Sequence, residues 1–450
     1  VDRYQQTVVA GAFDPLAVVS TLVDSGLLTS YVVYERDQCW HVAGNPLGEV
    51  IVDASLVRST FGGDVTVEPW SGTPWPRVRA ALDRASVTDW HAYGWACFEL
   101  GSAGGIGSAE PLAHLIVPGV ELRVSAQQVL IRSVDPAVLA AVRTAVSRPA
   151  RVETREPSPV DINVGRQSYV DGVARAVARI QQGHLQKVIL SRSVDVPFPV
   201  DMRATYLLGR AHNTPARSFL LDLGGWQAAG FSPETVVEVR AGGAASTQPL
   251  AGTRARTGDP AADHALRTAL LADPKEIFEH ATSVKLAFDE LDTVGRPATT
   301  RVSEFLAVKP RGSVQHLASR VDTTLAEART AWDAFGALFP AVTGSGIPKA
   351  PAYRLITELE DTPRALYAGA VLMSGADGTL DAALVLRAIY QHHGRAWLRA
   401  GAGVVAASRP EREYEETCEK LRSIAPYVVA AGSDQFRTAV RVPVTTAEAE

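Results

Sequence analysis

The chain has 450 residues, 46% hydrophobic and 21% charged, with a net charge of −5 and a pI near 6.1. That composition predicts an ordinary globular protein, and the length suits two or three domains or a single large α/β or α+β unit. Mild acidity without a basic, aromatic-studded stripe argues against a nucleic-acid partner. Three scattered cysteines (Cys39, Cys97, Cys418) argue against a disulfide framework or thiolate metal site, and no apolar run approaches a membrane span.

The first residues show no basic-then-apolar signal pattern, so the expected location is the cytoplasm; starting at Val1, the chain is expected to lack a few native residues. Residues 1–140 mix strand-like runs at 31–34 and 129–131 with a helical stretch over 77–85. A strand candidate, Gly94–Leu100, precedes the glycine cluster Gly101–Gly107, which lacks the lysine of a phosphate loop and reads as a surface loop. Residues 146–163, rich in Pro, Arg, Glu and Ser, read as a surface linker.

Beyond it the pattern sharpens. A helix is predicted over Tyr169–Gln182 with Gly183 as its stop, a strand over Lys187–Ser191 and a helix over Ala204–His212. Strands follow at Ser218–Leu223, Thr235–Arg240 and Ala245–Gln248, and later at Ala368–Met373, Ala382–Tyr390 and Ala396–Ala400. Strands in runs with few helices between them predict an α+β fold. Residues 431–450 are expected to be a disordered tail.

Two glutamate pairs, Glu276/Glu279 and Glu413/Glu416, share an i,i+3 spacing on segments of helical pattern. Each lies beside an apolar stripe of identical intervals, Ile277, Ala281, Val284, Phe288, Leu291 and Tyr414, Cys418, Leu421, Ala425, Val428. Two such ledges brought together would repel unless a hard, oxygen-seeking cation lay between them. The plainer alternative is helix capping, with Asp273 and Ser408 as N-caps and Glu276 as a capping-box partner. Lys187 opens an apolar strand, where it is either an edge residue or a buried general base. Glu234 enters a strand from a turn, where burial would suit a general acid. Gly252-Thr253-Arg254 and Gly401-Ala402-Gly403 offer close backbone approach, residues 343–349 form a donor-rich loop, and Lys420 is placed for an i,i+4 pair with Glu416.

Several blocks in one order resemble the chorismate-utilising enzymes, the family of anthranilate, isochorismate and salicylate synthases. They are Lys187-Val-Ile-Leu-Ser-Arg192, Leu208-Gly-Arg-Ala-His-Asn-Thr-Pro215, Pro249-Leu-Ala-Gly-Thr-Arg254, Lys275-Glu-Ile-Phe-Glu-His280, Arg311-Gly-Ser-Val-Gln-His316, Gly346-Ile-Pro-Lys349 and Glu413-Tyr-Glu-Glu-Thr-Cys-Glu-Lys420. Within the family they resemble most the siderophore-type salicylate synthases. The resemblance implies one large α+β domain of two antiparallel β-sheets packed face to face with helices outside. Residues 1–150 and 151–430 would then be its N-terminal and catalytic parts, which turns the linker into an internal connection.

It further implies a monomer acting on chorismate with Mg²⁺ as cofactor, held by Glu279 and Glu416 and supported by Glu276 and Glu413. Tyr367, Leu386, Arg387 and Gly401 would hold the substrate, Gly252 and Thr253 would line its ring, and Lys420 would balance charge. Lys187, where ammonia-using relatives carry glutamine, would activate water at C2, and Glu234 would protonate the departing C4 hydroxyl. Thr343 and His316 favour a further elimination of pyruvate over stopping at isochorismate. Ala251 stands where the para-aminobenzoate branch has a nucleophilic lysine, and the Leu-Leu-Glu-Ser feedback motif of anthranilate synthases is absent. Gln248 departs from the glutamate usual in siderophore-type relatives. The alternative reading is an isochorismate synthase with little lyase activity, and a more distant one is a non-catalytic binder of chorismate-like acids.

Overall fold

Aspartate followed by proline starts four of the helices. Asp14, Asp135, Asp259 and Asp273 each accept a hydrogen bond from the backbone just ahead, and the proline fills a position needing no N–H. The structure, a computed structural model, describes residues 3–101, 110–152, 155–312 and 314–432. The glycine cluster beyond Gly101 and nearly all of the expected tail lie outside these residues.

In chain order the elements begin β1 (Gln5–Ala10), α1 (Pro15–Asp24), β2 (Tyr31–Arg36), β3 (Cys39–Val52), β4 (Leu56–Phe61), β5 (Asp64–Pro69), α2 (Trp75–Leu82), β6 (His91–Ala96), β7 (Ala113–Val124), β8 (Gln128–Ser133) and α3 (Pro136–Ser147). They continue with α4 (Arg166–Gln181), β9 (Lys187–Val196), α5 (Met202–His212), β10 (Arg217–Leu223), β11 (Trp226–Ser232), β12 (Thr235–Val239), β13 (Ala244–Thr247), β14 (Leu250–Ala255), α6 (Pro260–Ala272) and α7 (Pro274–Asp292). The last are β15 (Arg301–Arg311), β16 (Val314–Thr324), α8 (Ala331–Leu338), β17 (Gly346–Ile347), α9 (Lys349–Leu359), β18 (Ala370–Gly375), β19 (Leu380–Leu384), β20 (Ala388–His392), β21 (Arg395–Val404) and α10 (Pro410–Leu421).

Every strand pairing is antiparallel, and the long strands β3 and β7 make the two expected sheets continuous. The first half of β3 pairs with β2 and its second half with β4, while β7 pairs with β6 at its start and β8 at its end. One sheet therefore runs β1-β8-β7-β3-β2-β10-β11-β20-β21-β9-β17, and the other β5-β4-β3-β7-β6-β18-β19-β12-β13-β16, with β14 and β15 both on β16. Between them lies the main core, where Val32, Tyr34, Phe219 and Leu221 of the first sheet join Tyr93, Trp95 and Val371 of the second. The opposite face of the first sheet packs Val33, Leu220 and Ile389 under α1, α3 and α5. Alternate residues of one strand serve the two cores, as the period of two requires.

Local corrections have physical causes. Residues 382–390 are two strands, because Arg387 takes a left-handed conformation (φ 51°) between them. The strand expected over 94–100 ends at Ala96, and Phe98–Gly101 form a short 3₁₀ turn. The expected linker starts inside α3, and its remainder packs Val160 and Ile162 against the outer core. Ile347 and Gly346 of the donor-rich loop pair with Lys187 and Val188 of β9, and Lys349 bonds Glu290 at 2.7 Å. The β15–β16 hairpin and α6, α8 and α9 add to the expected elements, although Asp259-Pro260 at α6 and the Thr330/Asp333 capping box at α8 are local start signals. Among the described residues no helix is long and apolar enough to cross a membrane.

Candidate active site

Where the free margin of one sheet faces that of the other, a cleft opens, with about 730 Å³ of empty space counted out to the open solvent at its mouth. β9, β21 and α10 supply Lys187, Gly401, Glu416 and Lys420; β14, β16 and α7 supply Gly252, Thr253, His316 and Glu279. Glu234, Thr343, Tyr367, Leu386 and Arg387 complete the lining. The sequence-predicted residues thus converge, except that Glu276 and Glu413 stand behind the lining.

Glycine makes the close packing possible. Gly252 occupies a bulge opposite β16 with φ 81°, and a Cβ at Gly401 would lie 2.7 Å from the Leu190 carbonyl and 2.8 Å from the Tyr367 hydroxyl.

On α7 the buried face runs through the glutamates themselves, Glu276, Glu279, Ser283 and Val284, while Ile277 and Ala281 are only half-buried. α10 likewise buries Glu413 and Glu416, but it ends at Leu421, so Ala425 and Val428 of the expected stripe lie beyond it. Asp273 caps α7 as expected, whereas Glu276 does not complete a capping box: its Oε1 takes Arg254 at 3.2 Å and its Oε2 has no partner among the described residues. The cap of α10 is Arg409 rather than Ser408, whose hydroxyl instead accepts the Val405 N–H.

Lysines decide the ionisation of the four acids. Burial pushes Glu279 up, but the ammonium groups of Lys187 (3.0 Å) and Lys275 (3.3 Å) outweigh it and hold it below the usual range. Burial is similarly overcome at Glu416 by Lys420, 2.8 Å away, and Lys275, which bring it to about 2. Burial wins at Glu276, against Lys275, and at Glu413, where the charge of Glu416 adds to it, so both carboxyls are raised. Lys275, which the sequence did not single out, lies 3.2 to 3.5 Å from Glu276, Glu279 and Glu413. Among the described residues no three of these carboxylates bring oxygens within 4.8 Å of one another, because an ammonium stands between them.

Two buried oxygens, Glu276 Oε2 and Glu413 Oε2, have no hydrogen-bond partner among the described residues. Four carboxylates with two unsatisfied oxygens fit a hard divalent cation.

Lys187 is buried, and its ammonium also donates to Ser283 Oγ at 2.9 Å. It is therefore neither an edge residue nor an isolated apolar lysine, since Glu279 pairs with it. Burial raises the Glu234 carboxyl to about 8, against the Thr343 hydroxyl that donates to its Oε1.

Arg387 donates to His316 Nε2 and, at 3.0 Å, to the Arg311 carbonyl, and it makes no ion pair among the described residues. Burial and the Arg311 guanidinium press it down to about 9, as expected of a buried cation awaiting an anion. Because arginine only donates, His316 Nε2 must accept, and its Nδ1–H points to Thr253 Oγ1 at 3.1 Å. Burial, then Arg387, hold the His316 imidazole well below its usual range. Lys420 also reaches the Gly401 carbonyl at 2.8 Å, so it ties α10 to β21 besides pairing with Glu416.

Sequence reasoning missed the frame behind these residues. Glu360 pairs with Arg364 and Arg399, each at 2.6 Å, and accepts the Ser191 N–H at 2.7 Å. Arg364 donates onward to the Gly344 and Ile189 carbonyls. The i,i+4 spacing of Glu360 and Arg364 was the only available signal, and it is common on surface helices. Gln248 is buried but does not line the cleft.

The sequence profile of the chorismate-binding enzymes matches residues 30–426. A salicylate synthase of Mycolicibacterium paratuberculosis is 43% identical over 409 residues, covering 89% of this chain and 90% of that protein. An anthranilate synthase component 1 of Streptomyces coelicolor is 40% identical over 263 residues, 58% of this chain and 51% of that one. The solved anthranilate synthase component I of Streptococcus pneumoniae shares the fold with a TM-score of 0.71 at 26% identity, covering 86% of this chain and 92% of that chain. With this extent of similarity over a cleft of this chemistry, the chain belongs to the chorismate-binding enzyme family.

Proposed function

We propose that the protein is a Mg²⁺-dependent salicylate synthase, converting chorismate through isochorismate to salicylate and pyruvate. The observation that carries this reading is one cleft holding both a buried lysine, Lys187, and a buried carboxylic acid raised to about 8, Glu234. The relative named salicylate synthase, similar along nearly the whole chain, supports the choice of product.

Glu279 and Glu416 would hold the metal, with Glu276 and Glu413 behind them; when bound it neutralises the substrate's ring carboxylate and anchors it. Arg387, a buried cation without a carboxylate partner among the described residues, is suited to the enolpyruvyl carboxylate, with the Tyr367 hydroxyl near Gly401 lining the same cleft. Lys187 takes a proton from the water attacking C2 once its ammonium has released Glu279 and passed its own proton to solvent. Glu234, protonated at neutral pH, gives its proton to the leaving C4 oxygen. Elimination then moves the C2 hydrogen to the enolpyruvyl methylene as the C–O bond breaks. His316, Thr253 and Thr343 hold that geometry rather than supply another base.

The test is a chromatographic product assay with purified protein, chorismate and Mg²⁺. Salicylate with equimolar pyruvate is expected, and isochorismate as sole product would replace this reading with the isochorismate synthase alternative. Lys187→Gln is expected to lower formation of both products by about 10²–10⁴-fold; undiminished turnover would remove Lys187 as base.

A further inference from the structure

A second convergence of ligand atoms lies away from the cleft. β20 begins just after Arg387 and ends at His392, so roughly 17 Å of extended strand separates the two. The turn into β21 carries His393. The His392 ring lies flat on buried Trp226, with centroids 4.1 Å apart and planes 6° from parallel. Its Nδ1 is 2.8 Å from the Gly225 carbonyl. A carbonyl only accepts, so Nδ1 carries the hydrogen, and in the neutral ring Nε2 is left with a lone pair.

That Nε2 lies 2.9 Å from Glu110 Oε2, another lone-pair atom, and His393 Nε2 lies 2.9 Å from Glu110 Oε1. The three residues' ligand atoms fall within 4.8 Å of one another. Acceptors in contact need a positive charge, which either a proton on the ring or a metal ion between the ligands supplies.

We propose that Glu110, His392 and His393 form a surface site for a divalent transition-metal ion of the Zn²⁺ type, separate from the glutamate cleft. Two imidazoles and one carboxylate are a donor set that zinc favours and magnesium does not. Bonds of about 2.0–2.1 Å at tetrahedral angles require ligand separations of about 3.3 Å; each histidine–carboxylate contact of 2.9 Å would open by a few tenths of an ångström, and the two imidazole nitrogens already lie within 4.8 Å of each other. The side chains of His393 and Glu110 are 74% and 47% exposed, at the surface of the protein. His392 is already oriented: the Gly225 carbonyl and the Trp226 face supply the supporting contacts that metal-bound imidazoles commonly have. A bound ion would join the β20–β21 turn to the segment entering β7, leaving a fourth position for water.

The experiment uses tag-free, chelator-stripped full chain in excess Mg²⁺, which engages the carboxylate cleft, titrated calorimetrically with Zn²⁺. One Zn²⁺ per chain is expected, with a higher thermal midpoint. Glu110→Gln and His393→Asn, both at exposed side chains, should each weaken binding by roughly tenfold or more. Their circular dichroism and chorismate turnover should match the parent chain. Co²⁺ should give a visible absorption band that His393→Asn abolishes. Failure of the parent chain to bind Zn²⁺ under excess Mg²⁺, or equal binding by parent and both variants, would overturn the site and leave the proton as the charge that joins the three side chains.

Discussion

The helices α7 and α10 carry glutamates at the same interval, yet the two members of each pair have opposite fates. Glu279 and Glu416 face the cleft and are held ionised, while Glu276 and Glu413 lie behind it and are pushed toward the protonated form. Burial is common to all four, so it cannot separate them. The reach of the lysines does. Glu279 has Lys187 and Lys275, and Glu416 has Lys420 and Lys275; among the described residues Glu413 has Lys275 alone and an oxygen without a partner. A repeated local spacing thus becomes two inner and two outer carboxylates only because the helices come from opposite sides of the cleft.

The largest expected effect separates the inner from the outer pair. Glu279→Gln or Glu416→Gln should cut Mg²⁺-supported chorismate turnover by more than about 100-fold, whereas Glu276→Gln or Glu413→Gln should weaken Mg²⁺ by roughly 10–100-fold and leave saturated turnover largely intact. Turnover measured against Mg²⁺ concentration checks this, and equal losses at all four positions would erase the distinction.

Next comes Lys275, the cation shared between the helices. Lys275→Met should cost the metal-free chain about 3–5 kcal/mol, since it strips several buried carboxylates of their counter-charge. The same change should tighten Mg²⁺ binding by removing a competitor, read as a larger thermal shift on adding Mg²⁺. A variant with unchanged metal-free stability and unchanged Mg²⁺ affinity would show that Lys275 does not hold the pairs apart.

The smallest effect concerns Glu234, whose burial no lysine overcomes. As a general acid it must carry its proton, so turnover should hold below pH of about 8 and fall as pH rises through that value. The Thr343 hydroxyl favours the carboxylate form, so Thr343→Val should move this alkaline limb to higher pH. A pH–rate profile that Thr343→Val leaves in place would uncouple Thr343 from the acid.

Much of the site was legible because its residues sit in short blocks with uncommon combinations, such as Lys275 through His280 and Glu413 through Lys420. The α+β class followed from runs of strands, and the Asp-Pro helix start at Asp273 was visible because capping is a local interaction. The reading of Glu276 as a capping partner failed because Arg254, from β14, takes its carboxylate, and pairing across elements has no local signature. Ala382–Tyr390 looked like one strand because the apolar run resumes directly after Arg387; the left-handed turn there points a buried guanidinium at His316.

The sequence by itself determined which side chains can bind, donate and accept, and placed the two acid pairs on helices, since those properties depend on residue type and on spacing within a turn or two. The tertiary structure alone decided which glutamates face the cleft, which lysine neutralises which acid, and that Arg387 meets no carboxylate among the described residues. Those outcomes depend on distances of a few ångströms between strands and helices from opposite sheets, where desolvation and Coulomb terms are large and change sign with small displacements.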